Sequence, residues 1–311
     1  MLRISAQLIK DEFDARGIPC EVISEESSIL RYQTDDGDWH ITRSSLSEKS
    51  SGAAVVICQN KLATDDVATK CGLPVLPTYY GDDRAEIEAF INQHGSVVVK
   101  PLDASHGHGV TINVTNMAKY DQAAAHALQF SDTIFLQKQA KGSDYRILII
   151  NYELAAATRR DHASVVGDGQ HTLAELIEIE NNSGNRIEEY GTKPNKIDVA
   201  AAQFFLEDRY TQEVPAKDQR VQVVGVANIG AGGTATDVTD SVAPAMVKDA
   251  IAVLQYLRLP TAGVDFMQDP NSEGYSFIEI NPSPNFSMHT SPHFGSAQPV
   301  AQRYVDWLLQ N

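Results

Sequence analysis

Residues 2–16 repeat apolar positions at helical spacing, with Ile4, Leu8 and Ile9 near one face and Gly17 as a stop. The continuous apolar run AAVVIC (53–58) predicts a short buried strand. LATDDVATKCGLPV then has helix character, closed by Gly72 with Pro74 beyond it. DDRAEIEAFINQHG predicts a second helix, with an aspartate cap, Ile87, Phe90 and Ile91 on one face, and Gly95 at its end. VVVKPLDASHGHGVTINV (97–114) reads as strand, glycine loop, strand, and a helix over 116–129 follows.

TIFLQKQAKGSDYRILIINYELAAATRR predicts a connecting strand, a loop around Gly142 and a hairpin turning near Asn151. In HTLAELIEIENN, Thr172 and Glu175 stand at capping-box spacing ahead of an amphipathic helix. Residues 183–220 are polar, with helix signal around 199–209. RVQVVGVANIGAGGTATDVTD gives a strand and a glycine loop, and APAMVKDAIAVLQYLRL a helix with Pro244 early in it. Strands at 261–268 and 275–281 precede a proline-rich loop and a last helix to Trp307. Helices and strands mix without regular βαβ alternation, which implies α+β layers rather than one doubly wound sheet.

Composition narrows the function classes. The 311 residues suit two or three packed subdomains. With 25 basic against 41 acidic residues the formal charge is −16. That balance argues against general nucleic-acid or anionic-membrane binding, whereas a small anionic ligand needs only a local basic cluster. The cysteines, Cys20, Cys58 and Cys71, lack metal-type pairing and imply a reducing compartment. No signal core is present, and no run approaches the ~20 apolar residues of a membrane span. The expectation is a cytoplasmic protein.

Alternation along GYSFIEIN puts Phe277, Glu279 and Asn281 on one side, with Ile278 and Ile280 on the other. A carboxylate and an amide oxygen two residues apart suit a hard cation. Asp265, in the strand TAGVDFM, sits between apolar residues where an unpaired carboxylate is costly. Any one of these acids fits a solvated face; oxygen donors on two adjacent strands favour a metal. Lys100 closes a run of valines and needs an anion, Lys61 begins a helix, and Arg159 and Arg160 end an alanine-rich strand. Such cations around phosphates, bridged by magnesium, are the parts of phosphoryl transfer. Because Lys100 precedes its glycines, the phosphate loop whose lysine follows them and opens a helix is excluded. GAGGTA (230–235) spells a dinucleotide fingerprint variant, but no helix pattern follows, so a substrate or hairpin loop is expected. His289 and His293 flank Pro292 in a loop, which argues against zinc, and His106 and His108 could donate to phosphate.

The order VVVKPLDASHGHGV, LQKQAKGSDYRILI, VVGDGQHTLAELI, NIGAGGTATDVTD, AGVDFM, FIEINPSPNFSMH resembles the ATP-grasp enzymes, and among them the ATP-grasp portions of cyanophycin synthetase and bifunctional glutathione synthetase. It runs from about residue 60 to the C-terminus. The resemblance implies a reduced N-terminal subdomain (1–60), a central subdomain with a glycine lid (61–132) and a C-terminal subdomain with a magnesium site (133–311), ATP lying between the last two. Lys61 and Lys100 would contact phosphates; Asp103, Ser105, His106, Gly107 and Gly109 would belong to the lid. Gln137, Lys138 and Ala140 would form the adenine hinge, and Asp144 would meet the ribose. Asp265, Glu279 and Asn281 would hold Mg2+, or Mn2+ in its place, and Arg160 would act with Lys100 on the transferred phosphoryl group. Arg146, Asn228, Gly232, Gly233, Ser283 and His289 would face the substrates.

The implied reaction is ATP-dependent ligation of a carboxylate to an amine through an acyl phosphate. Amino acids or small peptides are the implied substrates, and a homodimer is an assembly to test. Val224 stands where relatives carry an arginine, Gly230 and Ala231 replace a serine–threonine pair, and Asp161 and His162 replace an apolar residue and proline. These departures touch substrate-facing loops, so the alternative is an ATP-binding protein of the same fold without ligation.

Overall fold

The computed structural model describes residues 1–103, 107–188, 193–269 and 274–310. The chain opens with α1 (Ile4–Ala15), which buries Ala6, Ile9 and Phe13; of the face expected from Ile4, Leu8 and Ile9, Ile4 is 42% exposed and Leu8 half-buried, so the buried face is centred elsewhere on the helix. A meander that the sequence pattern did not disclose comes next: β1 (Cys20–Ser24), β2 (Ile29–Gln33), β3 (Trp39–Arg43) and β4 (Leu46–Ser47), paired antiparallel in that order.

AAVVIC is helical, which corrects the strand expected there. In α2 (Gly52–Gln59) the Ser51 hydroxyl caps the first turn by accepting from the Ala54 amide. Ala54 is buried while Val56 is 66% exposed, so this run lies on a surface instead of inside a sheet. A short apolar run has no period long enough to tell the two apart. Asn60 then caps α3 (Lys61–Lys70).

The central sheet has the order β5 (Thr78–Tyr79), β8 (Ile134–Lys138), β6 (Val97–Pro101), β7 (Thr111–Val114), all antiparallel. Helices α4 (Arg84–His94) and α5 (Met117–Ala127) close its core over Val97, Val99, Val114 and Leu136. Full burial of each such side chain contributes about 1.5–3 kcal/mol.

Strands β9 (Ser143–Ile150) and β10 (Glu153–Asp161) form the expected hairpin, turning through Asn151 and Tyr152 at φ of 53° and 60°. A lobe follows, built from β11 (Ser164–Val166), α6 (Leu173–Asn182), α7 (Val199–Leu206), α8 (Arg209–Gln212) and β12 (Arg220–Gln222). Its own core joins Leu173, Ile177, Leu206 and Val223, and Thr172 with Glu175 completes the capping box of α6. The chain returns through β13 (Thr234–Asp237), α9 (Pro244–Leu257), β14 (Thr261–Gln268) and β15 (Tyr275–Asn281), and ends with α10 (Ser287–Thr290) and α11 (Val300–Leu308).

The large sheet has the antiparallel order β13-β10-β9-β14-β15. Ile147, Ile149, Val264 and Phe266 point to one face, where α9 and residues of α2 and α3 cover them. Leu148 and Ile150 point to the other, where Phe13, Tyr32 and Tyr304 cover them. The alternation that buries Leu148 on this second face also puts Arg146 and Asp144 there, farther along the strand. Packing cuts across the divisions at 60 and 132: α3 contributes Val67 and Ala68 to the large-sheet core, and β8 pairs with β5 and β6. The first 60 residues also brace the loop after β15. Ser5 Oγ accepts from Phe286 N at 2.9 Å and donates to Asn285 Oδ1 at 3.2 Å, and Ser45 Oγ donates to Pro284 O at 2.7 Å. Among the described residues no helix is long and apolar enough to cross a membrane.

Candidate active site

Farther along its strands, the large sheet's second face carries a ladder of charges. Asp265 is 1% exposed, and both its oxygens accept from guanidinium groups. Arg146 Nε donates to Oδ1, and Arg146 Nη2 and Arg160 Nη2 donate to Oδ2 at 2.8 and 2.7 Å. Arg160 Nη2 also donates to Asp144 Oδ1 at 2.6 Å. Burial alone would raise the Asp265 carboxyl, but Arg146 and Arg160 hold it below its ordinary range. Burial pushes Asp144 up to about 6 against the pull of Arg160, helped by the neighbouring Asp265 charge. Room for Arg146 comes from Gly263: a Cβ there would lie 2.5 Å from Arg146 Cδ. Glycine inside a strand is the sequence signal for such an approach.

A bulge sets the adjoining strand. Asp265 pairs with Glu279 but Phe266 pairs with Phe277, leaving Ile278 as the extra residue. Phe277 and Ile280 therefore both enter the core, and Glu279 lies beside Asp265 on the other face. This corrects the expected grouping of Phe277 with Glu279 and Asn281; strict alternation fails wherever a strand gains a residue. Asn281 Oδ1 accepts from Ser283 N at 3.0 Å, and Ser283 Oγ lies 3.4 Å from Ser45 Oγ. Glu279 makes no hydrogen bond or ion pair among the described residues.

Two lysines face this ladder from other elements. Lys61, at the start of α3, donates to Leu102 O at 3.2 Å, and Lys100, on β6, donates to Gln137 Oε1 at 2.7 Å. Burial lowers both ammonium groups, against the attraction of Glu279 felt by each; Asp103 also acts on Lys61, and Asp65 and Asp144 act on Lys100. Each lysine is half-buried and faces acidic side chains of the neighbouring elements.

Of the residues expected at an adenine hinge, Gln137 is 2% exposed, with its side chain turned to Lys100 and Asp65, while Lys138 is exposed and its amide donates to Pro77 O at 2.8 Å. Ala140 is half-buried in the loop that follows β8. Of the residues expected in a glycine lid, Asp103 and Gly107 are exposed and Gly109 is buried; Ser105 and His106 lie outside the described residues. His289 is 1% exposed, and its Nδ1 lies 2.8 Å from Thr158 Oγ1. Burial, with the nearby Arg146 and Arg160 charges, lowers it to about 3, so it is a neutral imidazole in the active range. Asn228 Oδ1 accepts from Gly230 N at 2.9 Å and so starts the glycine turn. Gly232, at φ +97°, and Gly233 fit tightly against Ile197 and the backbone of Asp161 and Asn228. The strand β13 follows this turn, as expected for a hairpin loop and not a dinucleotide helix. Val224 is buried in the core of the inserted lobe. A cavity of about 900 Å3 lies between β7, α5 and α7, lined by Phe130, Phe204 and Val226, and includes none of Lys61, Lys100, Asp265 or Glu279.

The donor set suits a hard cation in chemistry, being oxygen only. Its geometry is incomplete: among the described residues no three His, Cys, Asp or Glu side chains are grouped as metal ligands, and Asp265 is filled by guanidinium groups. Glu279 is the carboxylate left for a cation that arrives with phosphate oxygens.

The family described as prokaryotic glutathione synthetase, ATP-grasp domain, matches residues 60–174. The chain is 30% identical over 319 residues to cyanophycin synthetase of Trichormus variabilis, covering 99% of this chain and 35% of that protein. It is 25% identical over 323 residues to the glutathione biosynthesis bifunctional protein GshAB of Listeria innocua, covering 99% of this chain and 42% of that protein. The crystal structure of a bifunctional glutathione synthetase from Pasteurella multocida superposes with a TM-score of 0.67 at 25% identity, over 99% of this chain and 44% of that one. D-alanine–D-alanine ligase from Bacillus anthracis shares the fold at a TM-score of 0.50 and 13% identity, over 83% of this chain and 68% of that one. The chain thus spans well under half the length of the curated relatives it matches, and its fold is the ATP-grasp fold.

Proposed function

We propose that this ATP-grasp chain binds ATP between its central and large sheets and joins a carboxylate to an amine, with amino acids or small peptides as substrates. A substrate carboxylate oxygen attacks the γ-phosphorus and ADP leaves. The amine nitrogen then attacks the acyl carbon, the bond from that carbon to the phosphate oxygen breaks, and the nitrogen loses a proton. Lys61 and Lys100 hold phosphate oxygens, and Arg160 stabilises the transferred group, placed as charge develops on it. Asp144 and Asp265 keep the Arg160 guanidinium at the cleft wall. A divalent cation, when bound, neutralises phosphate charge, and Glu279 would be its first protein ligand.

The observation that carries this reading is the proximity of Lys61 and Lys100 to Glu279, of Lys100 to Asp144, and of Asp144 to Arg160, side chains drawn from α3, β6, β15, β9 and β10. An ADP-release screen over pairs of amino acids, with mass detection of the product, tests it. Wild type is expected to release ADP only when acid and amine are both present. Glu279→Gln should cut that rate at least ~100-fold, the scale of losing a group that stabilises transition-state charge; unchanged turnover would remove Glu279 from the site. A second reading, ATP binding without ligation, is favoured by the arginine clamp that occupies both oxygens of Asp265. ATP binding with no release across the panel would select it.

A further inference from the structure

We propose that Asp65 is a positioning residue for Lys100, acting through the side-chain amide of Gln137. Lys100 Nζ donates to Gln137 Oε1 at 2.7 Å. At the other end of the amide, Gln137 Nε2 donates to Asp65 Oδ2 and to Thr78 Oγ1, both at 3.2 Å. A glutamine amide has opposite polarity at its two ends, so its orientation follows its partners. A carboxylate beside the NH2 group admits one arrangement only, with the carbonyl oxygen toward the ammonium. Turned over, the amide would set NH2 against the Lys100 ammonium and its oxygen against the Asp65 carboxylate.

Asp65 calls for such a role on other grounds. It is 8% exposed and makes no ion pair within the described residues, although burial of a carboxylate is costly without compensation. It does not cap its helix, since Asn60 does that. It stands four residues after Lys61, on the same face of α3, so one helix face supplies a cation to the cleft and the group that aims the other. Gln137 lies opposite Val98 in β6 and Thr78 in β5, so its amide is held between both neighbours. That buried amide also leaves Lys100 little freedom to seek another acceptor.

This inference rests on the reading that Lys100 grips phosphate. Calorimetric affinities for ATP and for adenosine, on wild type, Asp65→Ala, Lys100→Met and the double variant, test the two separately. Asp65→Ala should weaken ATP about tenfold or more and leave adenosine unchanged, as expected for a misaimed charged hydrogen bond. Lys100→Met should do the same, and the double variant should lose no more than Lys100→Met alone. Asp65→Val, which fills much of the same space but offers Gln137 no acceptor, should repeat the loss if the alanine variant folds poorly. Equal loss of ATP and adenosine on changing Asp65, or multiplying losses in the double variant, would overturn the proposal. An unaltered ATP affinity in Lys100→Met would overturn it together with the phosphate reading.

Discussion

At the residue scale, the site is decided by what each charged group can reach. Asp265 looked like an open oxygen donor because neighbours in sequence do not reveal which strand will pair with it. The fold supplies β9 as that neighbour, and Arg146, directly across from Asp265, takes the carboxylate. Gly263 makes that contact possible. Gly263→Ala is expected to destabilise the chain by about 1–3 kcal/mol, the cost of forcing atoms into a filled space. Gly52→Ala is the control: nothing lies within 4 Å of the added methyl, and a helical alanine should be neutral or better. Urea midpoints of the two variants measure the difference, and equal midpoints would refute the close fit at Gly263. Lys61, Lys100 and Glu279 could be picked out from the sequence because each sits at an element end or on a strand of recognisable pattern. Asp65 could not, since its meaning depends on Gln137, 72 positions away.

At the scale of elements, the sequence disclosed those whose boundaries are written in local chemistry. The strands at 261–268 and 275–281, the hairpin at Asn151 and the capped helix after Thr172 all appear where expected. The capping box of α6 is local enough to test alone. Thr172 Oγ1 accepts from Glu175 N at 3.3 Å, and Glu175 Oε2 accepts from Thr172 N at 2.8 Å. Thr172→Ala should cost about 1 kcal/mol. Amide exchange in the first turn of α6 should accelerate while β9 amides stay protected; an unchanged first turn would mean that the cap contributes nothing. Elements whose form depends on distant partners were not legible. AAVVIC became a helix because it lies on the large sheet; in the meander only β2 buries an apolar face by alternation, through Leu30 and Tyr32, whereas β3 turns Trp39 and Ile41 outward and Thr42 inward. The bulge at Ile278 likewise arises from pairing with β14, which no window of β15 alone contains.

At the scale of the whole molecule, the formal charge of −16 opposes the approach of a polyanion, and the cleft must overcome this locally. Lys61 and Lys100 are both held below the ordinary lysine value by burial. Phosphate binding would favour the charged form of each and raise them again. ATP binding should therefore take up protons in the range below 10.5, and affinity should fall as pH rises through that range. Calorimetry in two buffers of different ionisation heat measures the uptake; proton release on binding would contradict it. The bracing of the loop after β15 by Ser5 and Ser45 has a bearing on modularity. The first 60 residues look like a detachable preface to the nucleotide machinery, yet their hydroxyls form part of the joinery behind the strand that carries Glu279. A chimera that exchanges this preface with a relative's must carry matching serines with it, or the graft will meet a loop that its new neighbour cannot seat.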